Sequence, residues 1–214
     1  MANADRANGF RPVKTIWGSP WNAVLRPLGL GDGSSDTTLN HGDCYIGDMI
    51  KLSSGLVLPA NSSDTILGVA MGFGKTPSGT MGGSDALNAG GMFNPDDLSV
   101  AGNHFRHTYT NTEWFCWYAP AEGMVFEVQT ATGVTVANFD AVGDLGDVFG
   151  TADNSLGANE AHGSRTTGLS TEEIGAASNN DVKIVAIPTH PDNDRTLVNA
   201  SIHVYFQATE FDIS

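Results

Sequence analysis

Six histidines, two cysteines and scattered acids are the residues of this chain able to do chemistry, so their spacing bounds what chemistry there is. The histidines are His41, His104, His107, His162, His190 and His203. His104 and His107 stand three apart, a spacing that shares one face on a helix and splits between two faces on a strand. No HExxH and no CxxC pair occurs, so zinc has weak support and no metal is expected. The stretch His190-Pro-Asp192-Asn-Asp194 brings two carboxylates and an amide together, which calcium would accept, but it lacks the glycine and distal glutamate of an EF-hand. An Asx turn is the simpler reading. Gly72-Phe-Gly-Lys-Thr76 resembles the end of a phosphate loop, yet Val69 stands where its first glycine should be, and Pro77 follows where a helix should present its amides. Nucleotide binding is therefore not expected. There is no GxSxG, and Glu172-Glu173 reads as a pair of solvated acids in a polar loop. The expectation is a protein that is not an enzyme, with no catalytic residue and no cofactor.

Charge and hydropathy narrow the partners. The 214 residues are 40% hydrophobic, enough for a sizeable core. The net charge of −14 is uneven: residues 1–26 carry Arg6, Arg11, Lys14 and Arg26 against Asp5, a local +3 that leaves about −17 on the remainder. So acidic a body repels nucleic acid and anionic lipid, and neither is an expected partner. No window approaches 18 consecutive apolar residues, and the first residues lack the apolar core of a signal peptide, so the expectation is neither membrane insertion nor secretion. Cys44 and Cys116 allow no bridge to be assigned; Cys116, among aromatics, reads as a small buried hydrophobe.

The elements that would position these groups are strands. Twenty-six glycines and short apolar runs between Gly, Asn, Asp and Ser clusters predict a mainly β protein, an antiparallel sandwich or barrel of jelly-roll type or of two small β units. The densest apolar stretch is Glu113 to Gln129. Trp114, Phe115, Cys116, Trp117 and Tyr118 read as a strand apolar on both faces, with Pro120 to Gly123 as a tight turn and Met124 to Gln129 alternating with period two, the pattern of a hairpin. Trp114, Phe115, Trp117 and Tyr118 are expected in the core or at an interface between copies. Further strands are expected at Cys44–Leu52, Gly55–Leu58, Thr65–Phe73, Val134–Val136, Asp147–Gly150, Arg165–Leu169, Asp181–Ile187 and Ala200–Gln207. The expected organisation is an extended N-terminal arm over 1–26, a small antiparallel unit over 27–73, a Gly-rich surface excursion over 74–103 and a main β unit over 104–214.

The arm is both apolar and basic. Gly9, Pro12, Gly18 and Pro20 exclude a long helix, yet Phe10, Val13, Ile16, Trp17, Trp21, Val24 and Leu25 are too apolar for a solvated tail. It is expected to lie against a surface, its own body or a neighbouring subunit.

Seven blocks together carry a family likeness. Met1-Ala-Asn-Ala-Asp5, Asn8-Gly-Phe-Arg-Pro-Val-Lys14, Gly18-Ser-Pro-Trp21, Tyr45 to Leu52, Ile66 to Gly72, Val125 to Gln129 and Pro191-Asp-Asn193 occur in an order that resembles the decoration, or cement, proteins of tailed-bacteriophage capsids. The stretch 74–103 and the aromatic density at 114–118 depart from that pattern. The resemblance implies a β-rich virion structural protein on the outer surface of the head, made in the host cytoplasm, that bridges neighbouring major capsid subunits. It implies a homo-oligomer, a trimer rather than a dimer, at symmetry axes. Arg6, Phe10, Arg11, Lys14, Trp17, Trp21 and Arg26 are then the expected capsid-binding residues, since buried aromatics contribute about 1.5–3 kcal/mol each and many copies multiply a modest contact. The alternative is a virion protein that binds a host surface or glycan through exposed aromatics and loop carboxylates.

Overall fold

The computed structural model describes residue 3 and residues 8–27, 44–53, 55–62, 64–75, 105–106, 114–149, 163–164, 169–176 and 179–210. Within them the chain is mainly β, built on two antiparallel sheets. The strands are β1 (Arg11–Thr15), β2 (Val24–Pro27), β3 (Cys44–Tyr45), β4 (Met49–Ser53), β5 (Leu56–Pro59), β6 (Gly68–Lys75), β7 (Phe105–Arg106), β8 (Trp114–Pro120) and β9 (Met124–Gln129). They continue as β10 (Leu145–Phe149), β11 (Gly163–Ser164), β12 (Leu169–Ser170), β13 (Glu173–Ala176), β14 (Val182–Ala186) and β15 (Ser201–Phe206). One sheet has the order β1-β9-β15-β14-β10-β13 and the other β2-β8-β6-β4-β5. Both curl. In the first, Thr130 bridges Ile174 of β13, and the Ala131 amide donates to the Ile174 carbonyl at 2.9 Å, so the last strand returns to the end of the second.

Period-two patterning makes the ladders. In β15 Ile202, Val204 and Phe206 are buried while Ser201, His203 and Tyr205 are half-buried, and β14 alternates in the same way. The last two expected strands thus lie where the alternation put them. Other boundaries moved. The run Cys44–Leu52 is two strands, because the Tyr45 amide donates to Asp48 Oδ2 at 2.7 Å and closes a turn between them. Val136–Asn138 is a single 3₁₀ turn, not a strand, although Thr135 bridges Val198 beside it.

The aromatic strand β8 and its successor β9 do not form the expected hairpin. β8 pairs with β6 and β2 in one sheet, whereas β9 pairs with β1 and β15 in the other. Residues 121–123 therefore carry the chain between sheets. The reason is surface: β8 must be covered on both faces, and a hairpin would put β9 beside it without covering either. Cys116 and Tyr118 enter one cluster with Ile50, Val57, Leu67 and Phe73, and Ala119 enters the other with Phe126, Ile184 and Ile202. Phe115 is buried too, and Trp117 is half-buried. Sheet membership does not follow chain order: β1 lies in the sheet of β9, and β8, from within 104–214, lies in the sheet of β4 to β6.

The described part of the expected arm lies on the body. Phe10 is 1% exposed, with its ring centroid 4.9 Å from that of Phe206 and 6.3 Å from that of Phe126. Its amide donates to the Gly47 carbonyl at 2.9 Å. Gly9 permits this approach, since at φ +63° a Cβ there would lie 2.5 Å from the Gly47 carbonyl oxygen and from Ser170 Cβ. From that anchor β1 joins the edge of one sheet and β2 the edge of the other.

Two outcomes follow from this packing. Phe10→Ala should lower unfolding free energy by about 3–5 kcal/mol in urea titrations, and a loss below about 1 kcal/mol would mean that the ring is not part of the core. Cys44 and Cys116 form no disulfide and are sealed inside, and burial, with Asp48 adding to it, pushes the Cys116 thiol far up from its ordinary value. A thiol reagent should thus find neither cysteine in native protein at pH 8 and both after denaturation; prompt native labelling would contradict this burial.

Candidate functional site

Two features on the described surface have the make-up of sites, and both start from the N-terminal segment. The first is a turn. Gly18 amide donates to Thr15 carbonyl at 2.9 Å, and Thr15 Oγ1 lies 2.7 Å from Ser19 Oγ and accepts the Ser19 amide at 2.9 Å. The Ile16 amide donates to the Gly123 carbonyl at 2.7 Å, which ties the turn to the crossover between sheets. Its tip carries Ile16, 51% exposed, and Trp17, 80% exposed. The indole lies against Gly123, where a Cβ would come within 2.7 Å of the ring. Val13, Val24 and Leu25 are exposed on the flanking strands, as is the cation Lys14, whereas Arg11 at the far end of β1 pairs with Glu127. A braced aromatic amid apolar and cationic neighbours has the composition of a binding hot spot.

The second is a polar cleft of about 600 Å³ between the start of β1 and the loop that leads into β15. Its floor is Glu127, whose Oε1 accepts Arg11 Nη2 at 3.0 Å and whose Oε2 lies 3.5 Å from His203 Nε2. Its far wall is braced by side chains. Asn193 Nδ2 donates to the Pro188 and Ser201 carbonyls at 2.8 and 3.0 Å, and its Oδ1 accepts the Ser201 amide at 2.9 Å. Asn3 bonds in the same manner to Asp194 and Val198. Asp194 Oδ1 accepts the amide and hydroxyl of Thr196 at 2.9 and 2.7 Å, which is the Asx turn expected of this loop, and those donors hold its carboxyl below the usual range. Among the described residues no three metal-ligating groups converge.

The sequence candidates are dispersed. Phe10 is core, Trp21 is half-buried against the core, and Arg26 is half-buried in β2 opposite Cys116. Arg11 and Lys14 are exposed on β1, and Trp17 forms the turn. Arg6 lies outside the described residues, as do His41, His104, His107, His162 and the Trp114 side chain. Phe115 and Tyr118 are buried, so of that aromatic run Trp117 alone is described as partly exposed. Gly72 to Lys75 belong to β6, and an extended strand does not converge its amides on a phosphate.

Glu172 corrects its expectation. Far from solvated, it is 1% exposed, and its Oε2 accepts the Met49 amide at 3.0 Å. A carboxylate buried this way serves as the hydrogen-bond partner that a strand end lacks. Asp147 behaves alike: its Oδ1 accepts the Val148 amide and the Ser62 hydroxyl, both at 2.9 Å. Ser62 also contacts Asp181 Oδ2 closely and receives Asn179 Nδ2 at 2.9 Å. Nothing in the local sequence marks Glu172 or Asp147 as different from the solvated acids nearby.

No family model, curated protein or solved structure matches this chain. The site is therefore read on its own geometry.

Burial holds the His203 imidazole below its ordinary range; Glu127 opposes this, and Lys14 and His190 reinforce it. The unfolded chain takes up that proton near pH 6.5 while the folded protein resists it until lower pH, so this residue's contribution is present above pH 6.5 and is lost on acidification. Between pH 7.5 and 5.5 the melting temperature of His203→Gln should fall less than that of the parent. Equal falls would remove His203 from the pH dependence.

Proposed function

We propose that this chain is a virion structural protein that decorates the outer surface of a tailed-phage capsid and bridges neighbouring major capsid subunits. The observation that carries the reading is the Ile16–Trp17 turn, an exposed apolar tip at the end of the strand that carries Lys14, on a body of opposite charge. The order of the N-terminal and strand blocks supports it from the sequence side. An exposed tryptophan resting on Gly123 offers a large apolar contact on docking, and Lys14 on the adjoining strand favours an acidic partner surface. The acidic body keeps decorated particles soluble. Copies of the chain, grouped as a homo-oligomer at symmetry axes, would multiply this contact through effective concentration.

Because Phe10 lies in the core, removing residues 1–26 would unfold the body along with the contact. Point changes at the turn separate the two. Trp17→Ala and Ile16→Asp should leave unfolding free energy within about 0.5–1 kcal/mol of the parent while lowering occupancy on undecorated capsids of the parent virus by tenfold or more, scored by co-sedimentation and imaging. Full occupancy by both variants would reject the turn as the contact. Absence of the chain from purified virions, tested by mass spectrometry, would reject the function.

A further inference from the structure

The cleft beside Arg11 is not part of the Ile16–Trp17 contact, and its chemistry differs. Its volume, about 600 Å³, falls within the roughly 300–1,000 Å³ of small-ligand sites. Such sites are mostly apolar, whereas this one is lined by amides, carboxylates, a guanidinium and an imidazole. Most of these groups are fixed by protein partners: Asn3, Asn193 and Asp194 brace the wall, and Arg11 and His203 hold Glu127. The site is therefore preorganised.

One lining residue carries an atom without such a partner. Asn199 is 9% exposed, and its enclosed amide oxygen Oδ1 accepts no hydrogen bond among the described residues. A buried acceptor left unpaired costs about 1–3 kcal/mol, and a ligand donor would relieve it. Asn199 also sits in the left-handed region at φ +59°, with its carbonyl fixed by Gln129 Nε2 at 2.8 Å. The loop holds that side chain in place at some conformational cost.

We infer that this cleft binds a short saccharide. A sugar hydroxyl both donates and accepts, so it suits a surface on which carboxylate and amide oxygens alternate with guanidinium and imidazole N–H groups. Asp192 and His190 at the rim and Asn8 and Asn199 within supply that mixture. An anion would face the Glu127, Asp192 and Asp194 carboxylates, and an apolar ligand would strand the polar lining unpaired.

The test uses the intact isolated chain, so it reads out separately from capsid attachment. A glycan array spanning mono- to tetrasaccharides, followed by saturation-transfer NMR on each hit, should give a saccharide whose binding weakens tenfold or more in Asn199→Gly and in Asp192→Ala. Asn199→Gly suits the positive φ and deletes the side chain that bears the amide, and Asp192 is exposed, so both variants should fold with an unchanged amide NMR pattern elsewhere. No saccharide on the array bound, inorganic phosphate displacing the hit, or unchanged binding in both variants would each overturn the assignment.

Discussion

Three phenyl rings hold the molecule to its arrangement. Phe126 and Phe206, on adjacent strands of one sheet, have centroids 5.3 Å apart, and Phe10 closes the group from the N-terminal segment. Burying that ring draws residues 8–15 onto the sheet edge and leaves the chain no choice but to cross to the second sheet before β2. The Phe10–Phe126 pair meets edge to face, a contact that adds about 0.5–1.5 kcal/mol beyond burial, so the N-terminal segment is tied into the core. Both candidate sites inherit their rigidity from it. The Ile16–Trp17 turn starts the passage from β1 to β2, and Asn8, Gly9 and Arg11 of the cleft wall flank the Phe10 anchor.

Two buried carboxylates act alike. Asp48 and Glu172 lie inside with at most 1% exposure, and each accepts a backbone amide where β3 gives way to β4. Sheets that curl and exchange strands leave such amides without ladder partners, and a carboxylate is the strongest acceptor available to satisfy them. The acidity of the chain thus has two parts. One part solvates the surface, and a smaller part is structural.

How much of this was legible depended on whether the signal was local. Period-two alternation is local, so β9, β14 and β15 could be placed from residue types alone, and in the apolar run at 114–118 Phe115, Cys116 and Tyr118 are buried while Trp117 is half-buried. Pairing is not local. A tight turn between two strands says hairpin unless the faces of the first are already claimed, and the claimants here, β6, β2 and the opposite sheet, come from distant sequence. The same limit hid the exposed indole: Trp17 and Trp21 sit in similar company, yet one is 80% exposed and the other packs on the core. Asn199 left no trace either, because an unpaired amide is a property of its neighbours.

The two sites share one strand, and that has a mechanical consequence. β1 runs from Arg11 at the cleft to Thr15 at the base of the turn, and at about 3.3 Å per residue the base of the turn stands about 13 Å from Arg11. Pairing to β9 along this length keeps the separation fixed, since bending it would break ladder bonds on an edge strand whose first neighbour is core. A surface gripped by the turn therefore holds the cleft at a set height. Whatever docks at Trp17 also decides, through a single rigid strand, how far from that surface a ligand of Glu127 and Asn199 is presented.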